Sequence, residues 1–390
     1  MIDYRSKKGG GLPIDLLMKC VFLGELAGKH SGRIKELWLF NNWNALKFIL
    51  NIHENKIENY FYTNPSDSTL NRALNNIDEN VLQTSVSETL QILLRSHLNE
   101  FSPIHYSMDG KSRKGVCSLL TGRTEIDLTF FESSTSSIVG KITLPDKQGE
   151  STAAPILIEN LFQFPQKIPN GIISFDCAMT TPDITETIIE TGNDYLGSLK
   201  GFNGKVYTSI SEYDWGSVEV LVETQEIHHG REEKRKLKIL KLSDSPENIQ
   251  YQFSKYADAA IVVQVERKRL ISKTNLQTEE TAYYVGSSGL LDLTAKEIYK
   301  IQREHWLIEN RSNYVKDVVM LEDNCFTKTH KASRNLGAIR DLVLNAAFLD
   351  GGGEIKSFLE NFSSGFSKLL NEVRSLEIYQ QLTNLGVSQT

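Results

Sequence analysis

The stretch GIISFDCAM, residues 171–179, holds a single acidic residue in an otherwise nearly unbroken apolar run. Such a run suits a strand covered on both faces, as in parallel sheets, and Asp176 sits at its end. The flanks support this reading. TAAPILIENLFQFP (152–165) reads as a helix with Pro155 in its first turn. TPDITETIIETG (181–192) reads as another, with Pro182 near its start and Gly192 near its stop. Three alternating segments lie upstream, IHYSMD (104–109), RTEIDLTFFE (123–132) and SSIVGKITL (136–144), and DYLGSLKG (194–201) lies downstream. The order of three strands, a helix, a buried strand, a helix and a strand places the chain in the α/β class.

Outward from this centre the pattern changes twice. Residues 1–100 read as a helical N-terminal domain. Apolar positions recur at helical spacing through Leu16, Leu17, Cys20, Val21 and Leu23, and again through Ile34, Leu37, Trp38 and Phe40. Ser66 or Asp67 is a candidate N-cap for a helix through Leu70, Leu74 and Ile77. With the helix after it, this pair reads either as a helix-turn-helix that points Asn71, Arg72 and Asn75 at DNA or as a plain bundle with a polar surface. Residues 205–290 are β-rich and read as an insertion. Residues 291–350 return to helices and complete the core begun at 101–204. Residues 351–390 read as a linker, opened by DGGG (350–353), and a last amphipathic helix.

The bulk numbers bound the function. The 390 residues carry a net charge of −6, and the pI is about 5.8, so any contact with nucleic acid must rest on local basic patches. The candidates are GKSRKG (110–115), REEKRKLKILK (231–241) and ERKRLISK (266–273). Four scattered cysteines give neither a zinc signature nor a disulfide framework and fit a reducing cytoplasm. No uncharged apolar run is long enough to span a bilayer, so no membrane association is expected.

Three carboxylates stand out by position. Asp109 closes IHYSMD and opens onto Gly-Lys-Ser-Arg-Lys, where Asp-Gly by itself reads as a turn. Asp176 ends the buried run, where a carboxylate is costly unless capped, paired or bound to a cation. Glu309 lies in REHWLIENRSNYVKD, on a polar stripe with His305, Asn313 or Ser312, and Lys316. Two aspartates and a glutamate suit a hard divalent cation such as Mg²⁺. Paired ions of this kind activate a water or 3′-hydroxyl and stabilise the leaving oxygen at a phosphodiester. Lys111, Arg113, Lys114, His305 and Lys316 would then contact phosphates.

These residues resemble those of the bacterial DDE insertion-sequence transposases of the H-repeat-associated branch, within the RNase H-like transposase group. The resemblance runs over most of residues 10–350, through DSTLNRAL, MDGKSRKG, FDCAMTT, DYLGSLKGFNG, HHGREEKR, REHWLIENRSNYVKDVVMLED and RNLGAIRDLVLN. It implies an RNase H-like catalytic core interrupted by the β-rich insertion, with Asp109, Asp176 and Glu309 binding Mg²⁺ or Mn²⁺, two ions in all. It adds His229 and Arg231 to the phosphate contacts. It implies double-stranded DNA partners, the element's terminal inverted repeats and the target, with a homodimer on DNA and a cytoplasmic, nucleoid-associated location. Two departures accompany it. Where related enzymes carry Tyr-x₂-Arg-x₃-Glu-x₆-Lys, this chain has Gln302, His305, Glu309 and Lys316. Where the second motif commonly reads Asp-Ala-x-His-Thr, Met179 replaces the histidine. The competing expectations are a transposase-derived DNA-binding protein whose catalysis has decayed or been co-opted, and a stand-alone metal-dependent nuclease of the same fold.

Overall fold

The computed structural model describes residues 12–50, 64–95, 103–145, 149–163, 168–228, 230–271, 273–324, 327–349 and 355–368. The chain divides into two compact units. One comprises Leu94–Ser112 and Glu125–Arg311, the other Met1–Leu93, Arg113–Thr124 and Ser312–Thr390. The β-rich residues 205–290 thus share a unit with the central strands. The helices from Ser312 onward cluster with the N-terminal helices instead of with the strands.

The first unit is built on a nine-stranded sheet. Its strands are β1 (His105–Arg113), β2 (Glu125–Glu132), β3 (Ser137–Leu144), β4 (Ile172–Phe175), β5 (Asp194–Leu199), β6 (Val220–His228), β7 (Arg231–Lys241), β8 (Ala259–Ile271) and β9 (Leu276–Ser287). Their order across the sheet is β3-β2-β1-β4-β5-β9-β8-β7-β6. β2 and β3 are antiparallel, while β4 lies parallel to both β1 and β5. All four residues of β4 are buried, as its apolar sequence predicts for a strand with helices over the sheet. Helices Glu150–Phe162 and Pro182–Glu190 supply that cover through Leu157, Ile158, Leu161, Ile184 and Ile188. Thr181 caps the second of them, accepting from the Ile184 amide, and Pro182 fills its first position. The first begins at Glu150, earlier than its sequence suggests, so Pro155 falls inside it and not in its first turn.

One further reading changes. β1 does not stop at Asp109 but runs on to Arg113, so the Asp109–Gly110 step lies within a strand and is not a turn. The β-rich segment continues the central sheet: β9 pairs antiparallel with β5, Leu196 opposite Gly286, and β8, β7 and β6 extend it. The basic runs of this segment form β7 and β8, where carboxylates meet them. Arg235 pairs with Glu226 and Glu233, Arg269 with Glu233, and Lys268 with Glu279.

In the second unit, helices Ile14–Leu26, Gly32–Ile49, Asp67–Asn76, Glu79–Arg95 and His330–Leu349 enclose a core of Leu17, Val21, Leu39, Leu46, Leu70, Leu74, Leu336 and Ile339. Ser66 is the N-cap of the third, its hydroxyl accepting from the Thr69 amide. A fully buried carboxylate, Glu25, is matched by three bases: Lys35 at 2.7 Å, His30 at 2.6 Å and Arg340 at 3.2 Å. Burial alone would raise its pKa, but Arg340, Lys35 and His30 together hold it well below the ordinary range. The DGGG linker lies outside the described residues, and residues 355–368 are helical.

Candidate active site

β1 and β4 run side by side in parallel, and the last pair in their register is Met108 with Phe175. Asp109 is the next residue on β1, and Asp176 is the first residue past the end of β4. Neighbouring strands lie about 4.8 Å apart, so the register alone brings the two aspartates into one neighbourhood. Met108 and Phe175 themselves are buried. The carboxyl of Asp109 is pushed up to about 6, chiefly by burial. His305 and the Gly110 amide oppose the shift, and the carboxylates of Asp176 and Glu309 add to it. Asp109 thus feels both of the other acidic residues singled out in the sequence.

Glu309 reaches this neighbourhood from a helix that is not continuous. An α-helix covers Ala295–Glu304, capped by a box between Thr294 and Glu297, and a π-helical turn covers Ile308–Asn313. The unbroken polar stripe read from the sequence is therefore interrupted, and Glu309 is exposed on the π turn. π turns of this kind recur at functional sites. Arg311 ties this turn down by donating to the Ser136 hydroxyl at 2.5 Å.

His305 lies between the helix and the π turn. Its Nε2 is 3.7 Å from Asp176 Oδ1 and its Nδ1 is 2.8 Å from the Ser174 hydroxyl. Ser174 in turn meets His105 Nε2 at 2.8 Å, and His105 Nδ1 meets the Ser133 hydroxyl at 2.9 Å. Ser174 and His105 were not singled out from the sequence. The available signal was a hydroxyl and an imidazole on the two buried central strands, where polar groups require partners.

The other expected contacts fall in varied settings. Lys111 is buried on β1. Arg113, also buried, donates to the carbonyl and hydroxyl of Ser333 at 2.7 and 3.0 Å, with Glu322 at 3.8 Å. Lys316 is 1% exposed and sits 2.5 Å from Asp341, so its charge is matched inside the protein and is not offered at the surface. Lys114 and Arg231 are exposed, and His229 lies outside the described residues. Asn71 donates to Asp67, Asn75 accepts from the Thr329 hydroxyl, and Arg72 is exposed, donating to the Ser68 carbonyl. Gln302 donates to the Tyr284 hydroxyl at 2.9 Å. Met179 is 2% exposed in the apolar core, which accounts for an apolar residue there.

The donor set, carboxylate oxygens with one imidazole beside them, has the chemistry a hard divalent cation takes. Among the described residues, no three His, Cys, Asp or Glu side chains are drawn into a coordination cluster. Among the same residues no helix is long and apolar enough to cross a membrane.

Comparison with known proteins bears out the resemblance read from the sequence. The chain is 28% identical over 253 residues to the Escherichia coli K12 protein named "H repeat-associated putative transposase YhhI", a match covering 62% of this chain and 61% of that protein. It is 26% identical over 295 residues to the Escherichia coli O157:H7 protein named "Putative transposase YncI", covering 72% of this chain and 70% of that one. The match thus spans about three fifths of the first relative's length. A piggyBac transposase synaptic complex with hairpin DNA aligns over 95% of this chain and 75% of its own, at 11% identity and a TM-score of 0.44. No family model matches the chain.

Proposed function

We propose that this chain is a DNA transposase that uses Asp109, Asp176 and Glu309 to cleave DNA strands at the ends of an insertion sequence and join them to target DNA. The observation that carries the reading is the register of β1 and β4, which delivers Asp109 and Asp176 side by side, with Glu309 close enough to raise the carboxyl of Asp109. The strand order β3-β2-β1-β4-β5, with β2 and β3 antiparallel and β4 parallel to both β1 and β5, supports an RNase H-like core. The transposase names of the two relatives support the reaction class.

Asp109, Asp176 and Glu309 would hold Mg²⁺ or Mn²⁺, in a pair. Such ions supply a nucleophilic oxygen at neutral pH and stabilise the leaving oxygen. The chain's own part is to collect negative charge at one end of two buried strands and to fix it there. Phe175 and Met108, the residues before the two aspartates, are buried and anchor the strands there. His305 places Nε2 3.7 Å from Asp176 Oδ1, where the ring would lie within reach of a phosphate oxygen of the bound strand. DNA would be double-stranded, with exposed Lys114, Arg231 and Arg72 available to its backbone and two copies of the chain on each synapsed pair of ends.

The test is cleavage and joining of DNA bearing the element's ends, with Mg²⁺, by the wild type and by Asp109→Asn, Asp176→Asn and Glu309→Gln. Each substitution is expected to lower the rate about 10³-fold or more, since residues acting as one unit fail together. A wild type that cuts no faster than these variants overturns the reading.

A further inference from the structure

We propose that the loop after β5, residues 200–205, is a binding site for an unpaired DNA nucleotide, with Phe202 stacking on its base and Lys200 and Lys205 meeting the flanking phosphates. This inference rests on the reading of the three carboxylates as a phosphodiester-processing site, from which it takes DNA as the partner.

Placement comes first. In open sheets, ligands gather outside the carboxyl ends of parallel strands. β4 and β5 are parallel, and their last paired residues are Phe175 and Gly197. Asp176 leaves β4 at that point, and the loop leaves β5 after Leu199. Asn203 ties the two exits together. Its Nδ2 donates to the Cys177 carbonyl at 3.3 Å and to the Thr180 carbonyl at 3.4 Å. The Thr180 hydroxyl donates to the Ser198 carbonyl at 2.7 Å, and Asn203 Oδ1 accepts from the Lys200 amide at 2.9 Å. Gly204 closes the loop with φ 59° and ψ −126°, a backbone that glycine alone adopts with ease. The loop is thereby fixed against the residue that follows Asp176.

What the loop displays is an aromatic ring between two cations. Phe202 is 77% exposed, so its ring adds almost nothing to the core. Lys200 and Lys205 are exposed as well. One exposed aromatic residue is ordinary, and the lysines decide the matter. Elsewhere in the sheet Arg235, Lys268 and Arg269 meet glutamates. Among the described residues, neither Lys200 nor Lys205 meets a carboxylate. Their charge is left for an outside partner, next to a carboxylate read as acting on a phosphodiester. A bare ring between cations has the chemistry of single-strand recognition, in which bases stack on aromatic faces and basic side chains follow the backbone. Bases inside a duplex cover one another's faces, so such a ring selects a nucleotide that is unpaired.

The test is binding of the full chain, with Mg²⁺, to a blunt duplex and to the same duplex ending in a short single-stranded overhang that carries 2-aminopurine. The overhang DNA is expected to bind about tenfold more tightly, with its 2-aminopurine fluorescence quenched by stacking. Phe202→Ala should lose the preference and the quenching, and Phe202→Tyr should keep both. Because the ring is exposed, the urea midpoints of these variants should match the wild type. Lys200→Gln with Lys205→Gln should weaken overhang binding and lower the salt slope by about one to two units. A wild type that binds both DNAs alike, a Phe202→Ala variant that keeps the preference, or an unchanged salt slope in the lysine variant overturns the inference. Cleavage is scored separately. A wild type that prefers the overhang but cuts no DNA overturns the transposase reading and leaves the binding site standing, and one that cuts without the preference does the reverse.

Discussion

Gly110 meets Glu150 so closely that a Cβ added to the glycine would lie 2.1 Å from the Glu150 carboxylate oxygen. The glycine after Asp109 is therefore fixed by close approach within a strand. Gly110→Ala is expected to push the buried Glu150 from its place, at a cost of about 1–3 kcal/mol in denaturant unfolding. A loss below about 0.5 kcal/mol would show that Glu150 swings aside freely.

The carboxyl of Asp109, raised to about 6 in the folded chain from an ordinary 3.8, makes stability depend on pH. A raised carboxyl binds protons more readily in the folded state. Its contribution is therefore complete below about pH 4 and is lost as pH rises through about 6. Without divalent cations, Asp109→Asn should gain on the wild type by up to about 3 kcal/mol between pH 4 and pH 7. Urea midpoints of the two proteins across this range check the sign, and a constant difference would contradict it.

On the proposed reading, millimolar Mg²⁺ should relieve the same crowding. It is expected to raise the melting temperature of the wild type at pH 7 and to leave that of the Asp109→Asn, Asp176→Asn double variant nearly unchanged, because only a binding-competent folded state is stabilised. Scanning calorimetry with Mg²⁺ against an equal ionic strength of Na⁺ separates binding from screening.

Lys316 and Asp341 form a pair buried on both sides. Lys316→Ala leaves the Asp341 carboxylate in the interior and should cost about 3–5 kcal/mol, while Lys316→Met with Asp341→Leu should recover much of it. Equilibrium unfolding of the single and double variants measures the difference. A surface phosphate contact would show almost no change.

Met179 occupies the place where the resembled family commonly has histidine. Because it is buried in the apolar core, Met179→His is expected to lower stability by about 2–4 kcal/mol and not to add a useful group. Thermal unfolding tests the first part, and DNA cleavage the second.

Much of the sheet was legible because its strands announce themselves chemically. GIISF is too apolar to be anything but buried, and the segments of β2 and β3 carry the β-branched and aromatic residues that strands favour. The placement of Asp109 and Asp176 beside one another was half legible: each stood at the edge of a strand-like run, but only the Met108–Phe175 register joins them. Gly110 misled because Asp-Gly favours turns, and nothing local reveals Glu150 packed against it. The break before Glu309 escaped for a related reason, since a π turn has no strong residue preference and a helical wheel assumes uniform winding. Lys316 looked like a surface base because its partner, Asp341, lies on another helix. Ser174 and His105 were invisible as a pair until the parallel alignment of β1 with β4 placed them in contact.

The pairing of β9 with β5 governs what could be cut away or exchanged. Residues 205–290 look detachable on paper, a cassette that evolution or an engineer might trade for another. Yet the last strand of that cassette is stitched to the core, residue against residue from Leu196 to Leu199. Excising the cassette would leave β5 with a raw border, open to any strand of matching length, including one from a neighbouring copy. Replacements that succeed will be those that bring their own closing strand, so the lineage has room to vary the outer hairpin far more than the seam.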